Sequence, residues 1–228
     1  MHQENERLTE IMSNVGRTVG FPEINASFIV SKDFKISWKR RGKHLDIMIS
    51  DYVADAPDRV LIDLSRTIMD IVRGRPYEYG KEYLEWVTSD KFICDNRKIY
   101  IRRSKNITRD PIGKELNLIE SIDRLLDSSL LTPEDIQNSF FSWTVHPNYR
   151  KVGYCSPMMR VVAVSSALDD LSVPDYVVDF VVYHESLHLR QGYRPSKRAH
   201  DHSFKKEEDL FPGRKDAEKY LNNLKNKI

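Results

Sequence analysis

Apolar residues recur at helical spacing in several stretches of the chain. Leu8, Ile11, Met12, Val15 and Val19 form one stripe, which Gly20-Phe21-Pro22 ends. Residues 58–72 keep the same period until Gly74-Arg75-Pro76, and residues 79–87 predict a further helix. Leu116, Ile119, Ile122, Leu125 and Leu126 predict another. The run Val177, Val178, Phe180, Val181 and Val182, opened by Pro174, predicts a long buried one. Two last helices are expected over 200–210 and 214–224. Strand-like runs lie at 27–30, 34–39, 45–50, 140–145 and 161–164, with a hairpin through Gly153-Tyr154-Cys155-Ser156-Pro157. Thr132-Pro133-Glu134-Asp135 marks a turn or short helix start, and 166–171 a short helix. The polar, basic stretch 91–111 looks like a connector with one strand at 98–102.

This pattern predicts an α+β fold, with helices packed on a small antiparallel sheet. The order of elements runs twice. Trp38, a strand, Pro57, a long helix, Gly74-Arg75-Pro76 and Tyr79 to Tyr83 parallel Trp143, strands, Pro174, a long helix, Gly192-Tyr193-Arg194-Pro195 and His200 to Phe204. A tandem duplication is the expectation, with domains at 1–112 and 113–228.

The second long helix carries His184-Glu185-Ser186-Leu187-His188. On a helix, residues i and i+4 share one face. Two imidazoles so placed can bind one Zn²⁺ at ~2.0–2.1 Å. Glu185 then lies beside the metal, where its carboxylate can act as a general base toward water. Aligned on the repeat, the first half has Thr67, Ile68 and Ile71 at these positions and Tyr79 at that of a third ligand. It is therefore expected to be a metal-free copy of the fold.

A catalytic zinc takes three protein ligands and keeps one position open. After the turn at Gly192 and Pro195, His200 and His202 follow. His200 and Phe204 share a helical face at i, i+4, which favours His200 with Phe204 in the core. His202, Glu207 and Glu208 remain as alternatives. Tyr193 either donates a hydrogen bond to a developing oxyanion or packs at the helix end. Cys155 is expected to be buried, and no cysteine-based nucleophile arrangement is apparent.

Composition narrows the partners. The 228 residues hold 36 Lys plus Arg against 34 Asp plus Glu. That balance argues against a protein that coats nucleic acid, although Lys39-Arg40-Arg41-Gly42-Lys43 and 97–105 are basic clusters. Cys94 and Cys155 form no CxxC pair, so neither a zinc ribbon nor a disulfide framework is expected. The polar start Met1-His2-Gln3-Glu4 has no export-signal core, and no apolar run reaches bilayer length. A cytoplasmic protein without a membrane partner is the expectation.

The stretch from about Leu116 to Leu210 resembles the SprT-like zinc metallopeptidases, including their short bacterial and archaeal relatives. The resemblance rests on a helix, a strand with Trp143, Gly153-Tyr154-Cys155 before the strand at 161–164, the HExxH helix, and His200 to Phe204. It implies a zincin-like fold, zinc on His184, His188 and His200, Glu185 as catalytic base, and a peptide or protein substrate. It also admits proteins bound to DNA as substrates. Ser186 stands where the family usually has leucine, and Asp201 where glycine is common. A non-catalytic scaffold stabilised by metal is the remaining alternative.

Overall fold

The computed structural model describes residues 2–225. It is a mixed α+β protein of two compact units, Met1–Asn96 and Arg97–Ile228.

In the first unit, α1 (His2–Thr18) precedes β1 (Glu23–Ile29), β2 (Ile36–Arg41) and β3 (His44–Ser50). A 3-10 turn at Asp51–Val53 leads to α2 (Asp58–Val72), and α3 (Lys81–Val87) follows. The strands form a sheet ordered β1-β3-β2. Leu45, Ile47 and Ile49 alternate inward on β3, and Leu8 and Met12 of α1 are buried with Leu61, Leu64 and Ile68 of α2. The polar face of α1 also closes the β1 edge. Thr9 exchanges hydrogen bonds with the Ala26 backbone, and Asn5 accepts from the Phe28 amide at 2.8 Å.

Helix α4 (Asp90–Arg103) crosses the boundary between the units. The second unit continues with α5 (Leu118–Asp127), α6 (Pro133–Ile136), β4 (Phe140–Trp143), β5 (Gly153–Ser156) and β6 (Val161–Val164). A 3-10 turn at Ser166–Leu168 then precedes α7 (Asp175–Gln191), α8 (His202–Glu208) and α9 (Arg214–Lys225). The sheet order is β4-β6-β5. Its central strand is buried at every position, as is most of α7. A continuous core joins Trp143, Val162 and Val164 to Val178, Val182, Leu187 and Phe204.

Three expectations are corrected. The sheets are mixed, not antiparallel: β1 runs parallel to β3 and β4 to β6, while β2 and β5 are antiparallel to the same partners. Residue alternation reports which face a side chain takes, not strand direction. The strand expected at 98–102 is the C-terminal half of α4. Its buried seam runs Phe92, Asn96, Tyr100, and Asn96 donates to the Phe92 carbonyl at 3.1 Å. A polar residue within the seam hid the helical period. Finally, Trp38 and Trp143 are not equivalent, because Trp38 lies on edge strand β2 and Trp143 on the strand parallel to the centre.

Candidate metal centre

Helix α7 positions two of the histidines. Pro174 stands at its N-cap, and Gly192 ends it with φ of 70°, a conformation that glycine adopts without a Cβ clash. His184 and His188 lie one turn apart near its C-terminal end. His200 comes from the segment between α7 and α8. It directly precedes Asp201, the N-cap of α8, whose side chain accepts from the Phe204 amide at 2.9 Å. Arg194 holds the same Asp201 carboxylate at 3.2 Å.

The three imidazoles converge. His200 Nε2 is 3.3 Å from His184 Nε2 and 3.1 Å from His188 Nε2. One ligating nitrogen from each ring lies within 4.8 Å of the others. Tetrahedral zinc with ~2.0–2.1 Å bonds sets its nitrogens ~3.3 Å apart, so the donor set fits such an ion. All three rings rest on Phe204, with centroid separations of 5.1, 4.6 and 4.8 Å for His184, His188 and His200. Phe204 is 1% exposed and forms an apolar floor.

A carboxylate fixes one ring. His184 Nδ1 donates to Glu208 Oε1 at 2.6 Å, which leaves Nε2 as the lone-pair nitrogen facing the centre. Glu208 Oε2 is in turn held by Arg214 at 2.8 Å. Glu208 therefore orients the His184 ring rather than joining the three-histidine cluster. Glu207 pairs with Arg190 at 2.5 Å, and its carbonyl accepts from Tyr183, so it too is committed elsewhere. His202 is exposed on α8. Burial pushes the His184 imidazole below its usual range against the pull of Glu208, and pushes His188 down to about 4. Both rings are neutral near pH 7, as ligation requires.

Glu185 points to another side of α7 and is 6% exposed. Burial pushes its carboxyl up to about 8, with Lys151 acting the other way. A cation held by the neighbouring histidines would oppose that rise. The carboxylate lies against Gly153 of edge strand β5, where a Cβ would stand 2.5 Å from Oε1. The opposite sheet edge is covered: the Trp143 amide donates to the Asp110 carbonyl at 3.2 Å, and the Thr108 amide to the Trp143 carbonyl at 2.9 Å. Cys155, on β5, is half-buried. Desolvation, and secondarily the charge of Glu185, hold its thiol well above its ordinary pKa, so it stays protonated. Tyr193 and Arg194 line a small cleft beside His188.

The structure thus gathers His184, His188 and His200 into a set able to hold a metal ion, with Glu185 next to one of them in sequence. Sequence reasoning missed Glu208 as an orienting residue and Gly153 as the partner of Glu185. The signal for Glu208 was its i+4 spacing from Phe204, which puts both on the inner face of α8. For Gly153 it was a glycine inside a strand, a mark of close approach. Comparison with protein-family models, with curated proteins and with solved structures finds no match for this chain. Among the described residues, no helix is long and apolar enough to cross a membrane.

Proposed function

We propose that the chain is a zinc metallopeptidase of SprT-like type, with a zincin-like C-terminal unit. The observation that carries this is the convergence of three imidazoles, with His200 Nε2 3.3 and 3.1 Å from the Nε2 atoms of His184 and His188, and with the buried Glu185 next to His184 in sequence. His184, His188 and His200 would hold the ion. When bound, zinc supplies Lewis acidity that polarises a scissile carbonyl and lowers the pKa of water toward ~7. Glu185 takes the proton from the attacking water and delivers it to the leaving amine. Gly153 gives its carboxylate room. Edge strand β5, beside Glu185, suits an extended peptide added as a further strand.

The test pairs metal content with activity. Protein purified without chelator should hold one zinc per chain and cleave an unstructured protein such as casein. Glu185→Gln should abolish cleavage and keep the zinc. Cleavage that survives Glu185→Gln would defeat the mechanism, and a chain that takes up no zinc would defeat the site.

We infer also that the two units are copies of one ancestral unit. Each has a flanking helix, a strand parallel to the centre, a hairpin, a serine-led 3-10 turn and a proline-capped long helix. The Ser50 amide donates to the Lys35 carbonyl at 2.9 Å, and the Ser165 amide to the Val152 carbonyl at 2.8 Å. In the hairpins, Ile36 opposite Ile49 matches Gly153 opposite Val164. Counting from Pro57 and Pro174, Thr67, Ile68 and Ile71 replace His184, Glu185 and His188. Tyr79, stacked on Tyr83 at 5.2 Å, replaces His200 on Phe204. The Gly153 and Glu185 pair thus becomes Ile36 and Ile68, an apolar pair with no base to accommodate. A zinc stoichiometry of two per chain would contradict a metal-free first copy.

A further inference from the structure

Two charges in the C-terminal unit stand against the helix dipoles around them. Glu208 is the last residue of α8, and Arg214 is the first of α9. An acid is disfavoured at the C-terminal end of a helix, and a cation at the N-terminal end. The turn between them is anchored. Phe211 is buried against Phe180 and Tyr183 of α7, at centroid separations of 5.3 and 5.7 Å, and its carbonyl accepts from the Arg214 amide at 3.2 Å. The Arg214 guanidinium meets three carboxylates: Nη2 lies 2.8 Å from Glu208 Oε2, Nε donates to Glu218 Oε1 at 2.8 Å, and Nη1 donates to Asp209 Oδ1. The side chains of Asp209 and Glu218 are 68% and 42% exposed, and ion pairs exposed in this way contribute little. The Glu208 side chain is only 10% exposed. Its Oε1 is engaged by His184 Nδ1 at 2.6 Å, so Arg214 is what satisfies its second oxygen.

We propose that Arg214 is a positioning residue for the metal centre: it clamps Glu208 so that the carboxylate fixes the His184 ring with Nε2 facing His200. The inference rests on the zinc reading of the three-histidine cluster. Without the guanidinium, Glu208 Oε2 becomes a buried charged oxygen with no donor, and the carboxylate gains by swinging to water. Nδ1 of His184 then loses its acceptor, and nothing holds the ring to one tautomer or one orientation. Arginine suits this role better than lysine, because a planar fork meets three acceptors at fixed angles and a single ammonium does not. Arg214 thereby ties α9, which is buried on the core through Ala217 and Leu221, to a ligand on α7.

The test reads zinc affinity by competition with a chromophoric chelator, and the His184 tautomer from ring-nitrogen NMR shifts of metal-free protein at neutral pH. Arg214→Gln should weaken zinc binding about tenfold, the lower end of what outer partners of a ligand contribute, and should raise the Nε2–H tautomer of His184. In Glu208→Ala protein the same substitution should cost nothing further, because its route to the ring is gone. Asp209→Asn and Glu218→Gln should each bind zinc as wild type does. Arg214→Lys should fall between wild type and Arg214→Gln, and it decides alone if circular dichroism shows the glutamine variant unfolded. Wild-type affinity and tautomer in a folded Arg214 variant overturn the assignment. So does a loss that adds in full to that of Glu208→Ala, or an equal loss in Asp209→Asn or Glu218→Gln. Failure of the peptidase reading looks different: ring and affinity respond as expected, but wild-type protein cleaves no casein. In a chain that takes up no zinc, the tautomer shift still decides whether Arg214 positions the ring.

Discussion

Gly153 and Glu185 are packed so closely that position 153 has no room for a side chain. A Cβ there would lie 2.5 Å from Oε1, 2.9 Å from Cγ and 3.0 Å from Cδ of the glutamate. The contact is between the backbone of an edge strand and a side chain one residue from a proposed ligand, so any shift at 153 is felt at the proposed base.

Gly153→Ala is therefore expected to displace the Glu185 carboxylate while the histidines stay in place. Misplacing a catalytic group by about 1 Å costs on the order of 100-fold in rate. Turnover should fall by about that factor with zinc content unchanged, as read by casein cleavage and elemental analysis of one preparation. Wild-type turnover in the alanine variant would remove Gly153 from the mechanism.

Glu208 holds His184 Nδ1 at 2.6 Å and is itself held by Arg214. Loss of such an outer carboxylate weakens metal affinity roughly 10- to 100-fold. Glu208→Ala should show that loss in a zinc competition titration with a chromophoric chelator. Glu208→Gln, which keeps an acceptor oxygen, should recover much of it. Equal zinc affinity in wild type and Glu208→Ala would mean that the ring needs no orientation from outside.

The two neighbouring histidines should behave differently. His200 joins the cluster and His202 is exposed on the first turn of α8. His200→Ala should lose most of the zinc affinity and His202→Ala little, by the same titration. A larger loss in His202→Ala would reassign the third ligand.

Ser186 is fully buried, and its hydroxyl finds no partner among the described residues. A buried hydroxyl without a hydrogen bond costs about 1–3 kcal/mol. Ser186→Ala should therefore raise stability by about 1 kcal/mol, after allowance for the small void left behind. Urea denaturation of the metal-free proteins measures this, and a midpoint that falls in the alanine variant would show that the hydroxyl is satisfied after all.

Where apolar periodicity was strong, the sequence was legible. The long helix after Pro174, the helix after Pro57 and the central strands all lie where their apolar positions put them. The losses have particular physical causes. Helix α4 has Asn96 in its buried seam, so its stripe was broken. The parallel pairing in each sheet follows from the third strand entering between the first two, which alternation does not encode. The third ligand was named from a helical face, yet α8 starts at His202. His200 sits ahead of the N-cap, and its direction is set by Asp201, bonded to the Phe204 amide and to Arg194. Phe204 did mark the right side, as the surface on which all three rings lie. Glu208 was weighed as a ligand because acids bind zinc. Only the fold shows that it faces Nδ1 of a ring whose Nε2 faces the centre.

Helix α7 is buried on nearly every face and touches α5, α6, α8, α9, β5 and β6. Its central amides cannot meet solvent unless most of the C-terminal unit opens, so their hydrogen exchange should report the unit's global unfolding. His184 and His188 ride on that slow-exchanging element, while His200 is carried by the irregular segment before α8. A metal ion held by the three histidines would therefore have one ligand able to swing away without melting the helix. Its release would then follow the opening of a few loop residues, much faster than the exchange of the α7 amides.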